Sequence, residues 1–279
     1  MTLTIILPTI NEEENLKTLI PEIYLIFERY KYIEVIVVDD GSDDGTDILM
    51  KKFANLYQNI VFVKRANPDG LPKAILTGIT KARGELVAWL DADGSMPIRI
   101  LHEMHERFIQ NDLDLIVGSR FVASGGFKGL NEKGKTNLFQ FLKNLKNSED
   151  RVLAVILSRF LNIFLRIVLR TGIKDMTSGF VLVRRDLVCQ EQFIGRYGEY
   201  FPVLMKNLKQ KKVRSEEYGY VCLPRIYGTS KTGNSLSDYL VKGSPYIYYS
   251  AKKVLGDFLL ALFFNRKIKI FKSRGKRNL

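Results

Sequence analysis

The chain has 279 residues, 46% hydrophobic and 26% charged, with a formal net charge of +13. It can bury a full core as one large domain plus an appendage, and its two cysteines, Cys189 and Cys222, carry no metal-ligand spacing and imply no disulfide framework, so a reducing compartment is expected. Its longest stretch without a charged residue, Met1 to Asn11, is well short of the roughly 18 to 20 apolar residues that span a bilayer, and no basic region precedes it as in a signal peptide.

In chain order, Leu3 to Pro8 reads as a buried strand, and Asn11 to Asn15 opens a helix with acids in its first turn, where the dipole favours them. Glu34 to Val38 is a second strand running into Asp39-Asp40-Gly41-Ser42-Asp43-Asp44-Gly45-Thr46, a turn rich in helix-capping residues. Ile60 to Lys64 is a third. A helix from Gly70 to Ala82 then leads to a strand beginning at Leu86 that ends abruptly on Asp91 and Asp93. This βαβαβαβ alternation with short links predicts an α/β fold with a parallel sheet and right-handed crossovers. Two acids at i and i+2 leave a strand on the same side, into the crevice where such sheets bind ligands. There they can share a hard divalent cation with a diphosphate, as a nucleotide-sugar transferase requires; a solvated turn is the competing reading.

Another strand, Leu113 to Val117, precedes Gly118-Ser119-Arg120. Residues 124–150, rich in glycine, lysine and asparagine, form a long connection of the kind used for a lid or binding loop. Arg151 to Arg170 predicts a helix whose four arginines, 151, 159, 166 and 170, share an arc of about 100° while Phe160, Ile163, Phe164 and Ile167 fall opposite. It suits either a helix packed on the sheet with one wet face or an interfacial helix on a membrane. Tyr246 to Phe264, rich in Tyr, Leu and Phe, runs into a tail in which seven of the last fourteen residues are Lys or Arg, either a solvated tail or a membrane-surface anchor.

Six ordered blocks carry a family resemblance: Pro8 to Glu12, Val37 to Ser42, Leu90 to Asp93, Gly118 to Arg120, Asp175 to Phe180 and Arg225 to Lys231. Together they resemble the inverting family-2 glycosyltransferases, and within them the dolichyl (polyprenyl) phosphate mannosyltransferases and their glucosyl relatives. Ile10 stands where many relatives carry an aromatic, and Ser95 where some carry a glutamine. The resemblance implies a GT-A-type Rossmann-like, mostly parallel sheet with flanking helices over residues 1–235, followed by a membrane-associating basic segment over 236–279. It implies Mg²⁺ or Mn²⁺ held by Asp91, Asp93 and Ser95, and a nucleotide sugar, GDP-mannose first and UDP-glucose second, bound by Pro8, Glu12, Asp39, Asp40, Asp91 and Ala92. Arg225 and Lys231 flank Gly228 on a loop able to close over the diphosphate; Arg120 would face the sugar or the acceptor phosphate, and Asp93, Arg120 and Asp175 are the residues read as catalytic.

Asp175 and Glu199 are the candidate bases. His102 and His105, three apart on a helix, are placed on an exposed face rather than at a metal. A phosphate-monoester acceptor has its second pKa near 6 and needs no base, which favours a lipid phosphate over a sugar hydroxyl. The expected reaction is hexose transfer to polyprenyl or dolichyl phosphate at the cytoplasmic face of a membrane, by a monotopic enzyme that supplies lipid-linked sugar for glycosylation. Transfer to a glycolipid or polysaccharide hydroxyl is the alternative, although the Gln-x-x-Arg-Trp of processive polymerases is missing and Trp89 is the sole tryptophan. A non-catalytic basic module for membranes or nucleic acid would leave Asp91 and Asp93 without work and set acids against a phosphate backbone, so no nucleic-acid partner is expected. A nucleotidyltransferase would need a glycine-rich N-terminal loop that the chain lacks.

Overall fold

A computed structural model describes residues 1–30, 33–127, 149–228, 241 and 243–258, without the side chains of 149–157. Seven strands form one sheet in the order β3-β2-β1-β4-β7-β5-β8. They are β1 (Leu3–Thr9), β2 (Ile33–Asp39), β3 (Ile60–Lys64), β4 (Leu86–Trp89), β5 (Leu115–Ser119), β7 (Val181–Arg184) and β8 (Ser215–Gly219). β6 (Gly126–Phe127) and β9 (Val221–Cys222) pair separately, so the start of the 124–150 connection is a short ribbon. Its remainder, 128–148, lies outside the described residues.

β3, β2, β1 and β4 are mutually parallel, with Ile6 level with Ile36 on one side and Trp89 on the other. Their residues are apolar on both faces because helices cover both. α1 (Glu13–Ile26), α2 (Thr46–Leu56) and α4 (Ile98–Gln110) cover one face, packing on Ile5, Leu7, Val35, Val37 and Ala88. α3 (Leu71–Lys81), α5 (Glu149–Leu169) and α6 (Tyr200–Gln210) cover the other, over Ile6, Ile36, Val87, Trp89 and Val181.

The parallel order holds for the first four strands and is broken by β7, which lies antiparallel between β4 and β5. The strand expected over 113–117 forms two residues later, because Leu113 closes the end of α4 and Asp114 is held by Arg184 and Arg214. The N-cap position of α2 is Gly45, and Asp44 just before it accepts from the Thr46 amide and hydroxyl at the helix start.

α5 forms over the expected segment but carries two apolar stripes. Leu161, Leu165 and Leu169 pack on the sheet, while Phe160, Ile163, Phe164 and Ile167 are between 42% and 68% exposed and flanked by exposed Arg159, Arg166 and Arg170. Residues 243–258 are helical, and Tyr246 and Val254 pack against the second core cluster. Among the described residues no helix is long and apolar enough to cross a membrane. The tail beyond 258, with all seven of its basic residues, lies outside the described residues.

Candidate active site

Chain growth reverses between β1 and β4, so their carboxyl ends flank the switch point where open α/β sheets bind ligands. The turn after β4 is anchored by Ala92 and Met96, both buried in the core. Ala92, expected to bind nucleotide, therefore has only its backbone to offer. Gly94 takes φ +76 and the Ser95 amide donates to Asp93 Oδ1 at 2.9 Å, which turns Asp93 inward while Asp91 stays exposed. Ser95, expected at the metal, shapes this turn through its backbone.

Asp91 reaches solvent along the cleft yet has protein on its remaining sides; that enclosure, and next the charge of Asp93, push its carboxyl well above the usual range, while Arg225 and Arg120 pull the other way. Arg225 spans two acids, with Nη1 at 2.6 Å from Glu12 Oε1 and Nη2 at 3.0 Å from Asp93 Oδ2. Glu12, Asp91, Asp93 and Asp175 thus stand against Arg120 and Arg225. With all four acids ionised, two negative charges are left over, the charge of one divalent cation. Hard oxygen donors suit Mg²⁺ or Mn²⁺, and a site of two carboxylates is one that substrate phosphates and water complete. Among the described residues no group of three or more His, Cys, Asp or Glu is arranged to hold a metal ion.

Arg120 leaves β5 on the other side of β7 and is fixed by Asp175. Asp175 Oδ2 accepts from the Arg120 amide at 2.9 Å and from Nε at 2.8 Å, while Oδ1 accepts from Nη2 at 2.8 Å. Burial opposes the guanidinium's charge, but Asp175 outweighs it and raises the Arg120 pKa. The ring faces of Phe127 and Phe121 lie 5.3 and 5.7 Å from the guanidinium carbon. Asp175 is fully buried with both oxygens committed, so it stands behind Arg120 as a positioning residue rather than facing the reactants as a base.

Other expected site residues separate in the same way. Asp39 is fully buried and accepts from the Ser42 amide and hydroxyl, closing the turn after β2. Asp40 pairs with Arg65 and accepts from the Gly70 amide at 3.0 Å, tying β2 to the start of α3. Pro8 sits beside Val38 near the end of β1, at the same rim. Glu199 is buried and accepts from the Arg196 and Tyr197 amides at 2.7 and 2.9 Å; it holds a loop and is no free base. His105, expected on an exposed face, is buried against Phe27 and Tyr30, and burial lowers its pKa. Lys231 lies outside the described residues.

Three residues escaped the sequence reading. Asn15 exchanges hydrogen bonds with the Tyr227 backbone at 3.1 and 3.2 Å and so docks the Arg225 loop on α1. Asn162, a polar residue within the sheet-facing stripe of α5, accepts from the Met176 amide at 2.6 Å and donates to Thr177 Oγ1 at 2.9 Å. That anomaly in an apolar stripe was a usable signal. Tyr246 brings its hydroxyl against Gly198, where a Cβ would collide with it. Nothing in the sequence announced that contact.

The family model for glycosyl transferase family 2 matches residues 4–189, the span that holds Glu12, Asp91, Asp93, Arg120 and Asp175. The chain belongs to this family. A dolichol-phosphate mannosyltransferase of Pyrococcus furiosus is 28% identical over 84% of the chain and 59% of its own length. A dolichyl-phosphate beta-glucosyltransferase of Trichomonas vaginalis is 29% identical over 76% of the chain and 63% of its own. The chain therefore spans about three fifths of these curated relatives. Among solved structures, mannosyl-3-phosphoglycerate synthase of Rubrobacter xylanophilus superposes on 92% of this family-2 chain, and on 75% of its own, with a TM-score of 0.60 at 16% identity. Glucosyl-3-phosphoglycerate synthase of Mycobacterium tuberculosis, solved with Mn²⁺, UDP and phosphoglyceric acid, covers 91% of this chain and 78% of its own at TM-score 0.59 and 16% identity. At such identities the two share the fold.

Proposed function

We propose that the chain transfers a hexose from a nucleotide sugar to a polyprenyl or dolichyl phosphate, inverting the anomeric centre. The observation that carries this reading is the convergence of Asp91, Asp93 and Glu12 with Arg225 and Arg120 at the switch point of a family-2 glycosyltransferase sheet. Mannose, from GDP-mannose, is the first choice and glucose, from UDP-glucose, the second; one of the two relatives named above is a mannosyltransferase and the other a glucosyltransferase.

Asp91 and Asp93 would hold Mg²⁺ or Mn²⁺, which when bound supplies Lewis-acid neutralisation of a leaving diphosphate. The protein's own groups do the rest. Asp40 and Pro8 line the rim where base and ribose would lie, and Arg225 reaches over the place of the diphosphate. Arg120, held rigid by Asp175 and Thr177, presents a fixed positive charge for an acceptor phosphate. Both candidate bases, Asp175 and Glu199, are consumed by the fold, which suits an acceptor that is already an anion.

The exposed stripe of Phe160, Ile163, Phe164 and Ile167, edged by arginines, suits an anionic membrane surface, as do exposed Ile247, Tyr248, Leu255 and Phe258 on the helix 243–258. We place the enzyme at the cytoplasmic leaflet, with residues 1–235 as the catalytic part and 236–279 associating with the membrane.

Purified protein incubated with Mg²⁺ or Mn²⁺, labelled GDP-mannose or UDP-glucose and a polyprenyl phosphate should move label into the organic phase. Transfer to a glycolipid hydroxyl and none to the lipid phosphate would instead establish the alternative acceptor; no transfer from any donor would refute both.

A further inference from the structure

Residues 223–228 lie across the acidic turn and are pinned at four points. The Leu223 amide donates to the Ser95 carbonyl at 2.9 Å and the Ile226 amide to the Asp93 carbonyl at 3.2 Å, while the Tyr227 backbone exchanges hydrogen bonds with Asn15. Ile226 packs so closely on Gly94 that a Cβ there would come within 2.6 Å of its Cδ1. From this clamp Arg225 enters the site, 21% exposed, and its guanidinium joins Glu12 to Asp93. Both Asp93 oxygens are engaged: Oδ1 accepts from the Ser95 amide and Oδ2 faces Arg225 Nη2.

We propose that Arg225 is a surrogate cation, occupying Asp93 until a nucleotide diphosphate draws it away, so that the divalent ion and the donor bind as a coupled pair. This rests on the reading of Asp91 and Asp93 as the cation site. A guanidinium and a divalent ion cannot both lie within about 3 Å of one carboxylate oxygen, because their mutual repulsion in a partly enclosed cleft exceeds what that oxygen returns to the second of them. The diphosphate resolves the conflict. Its oxygens match the guanidinium fork better than one oxygen from each of two separate carboxylates does, and they add ligands for the ion on the Asp91 side. The ion alone therefore binds weakly, the donor raises its affinity, and by reciprocity the ion raises the donor's by the same factor.

The test is Mn²⁺ binding to the full chain, read from the electron paramagnetic resonance of free Mn²⁺, with and without GDP or UDP. Wild type should bind Mn²⁺ alone at least about tenfold more weakly than Arg225→Gln, and the nucleotide should tighten Mn²⁺ strongly in wild type and little in the variant. Arg225→Lys keeps a cation but cannot span both acids, so it should fall between the two; it carries the test if thermal melting shows the glutamine variant unfolded. Equal Mn²⁺ affinity in wild type and the folded variants, still abolished by Asp93→Asn, would overturn the surrogate role while leaving the cation site intact. Mn²⁺ binding that Asp93→Asn does not touch would overturn the cation site itself and the surrogate with it.

Discussion

Asp175→Asn isolates the ion pair behind Arg120. The substitution keeps the shape of a side chain that is fully buried, but it sets an amide NH₂ or a neutral oxygen against a guanidinium that is only 14% exposed. Removing one partner of a buried pair costs about 3–5 kcal/mol because the remaining charge is stranded. The lower end, about 3 kcal/mol, applies where Arg120 keeps its bond to Thr177 and its two aromatic neighbours. With a urea slope of about 3 kcal/mol per molar for a chain of this size, the midpoint should fall by about 1 M. Trp89, the sole tryptophan, is buried and bonded to Tyr200, and its fluorescence reports the transition. Arg120→Gln should cost at least as much, since it strands a fully buried carboxylate. The double variant, with amides facing each other, should be more stable than the sum of the single losses by about 2 kcal/mol. Strict additivity, or a cost below about 1 kcal/mol for Asp175→Asn, would refute the buried pair. Turnover separates roles: if Asp175 acts only by holding Arg120, the double variant turns over no slower than Arg120→Gln alone.

Asp93→Asn should lower the transfer rate about a thousandfold or more through loss of cation binding, whereas Asp43→Asn, in an exposed position of the earlier acidic turn, should change it less than about threefold in the same radiolabel assay. Glu199→Gln should cost about 1–3 kcal/mol in a urea melt, because one of the two loop amides it accepts from loses an anionic acceptor, with kcat of the folded fraction unchanged; a large fall in kcat would restore Glu199 as a base. Phe160→Glu with Ile167→Glu should leave stability within about 0.5 kcal/mol of wild type, both sites being exposed, and should reduce sedimentation with anionic vesicles; unchanged binding would shift the membrane contact to helix 243–258.

The first four strands were legible because each is largely apolar on both faces and three of them, β2, β3 and β4, run into Gly/Asp turns, signals that lie within a dozen residues. β7 was not. Its four residues, Val181–Arg184, have no direction of their own; they run antiparallel because α5 and the Asp175 loop deliver the chain to the opposite end of the sheet. β8, Ser215–Gly219, carries two glutamates, one bonded to Arg107 and the other to the Lys174 and Asp175 amides, so its pattern reads as a surface loop.

The site divides along the same line. Which acids stand at strand ends is a local property, and Asp39, Asp40, Asp91 and Asp93 were all found there. Which of them remain available is decided by partners far along the chain: Arg120 meets Asp175 across 55 residues, Arg225 meets Glu12 across 213, and Asp40 is taken by Arg65 and Gly70. Helix α5 makes the point for packing. Its sequence carries two apolar stripes, and a helical wheel cannot say which one the sheet takes. The sheet takes Leu161, Leu165 and Leu169, with Asn162 among them reaching the loop that holds Asp175, and leaves Phe160 and Phe164 outside. A core would gain most by burying the phenylalanines. It buries the leucines instead, leaving the aromatic face uncovered by the described residues, and the inner face fixes that helix to the loop carrying Arg120's anchor.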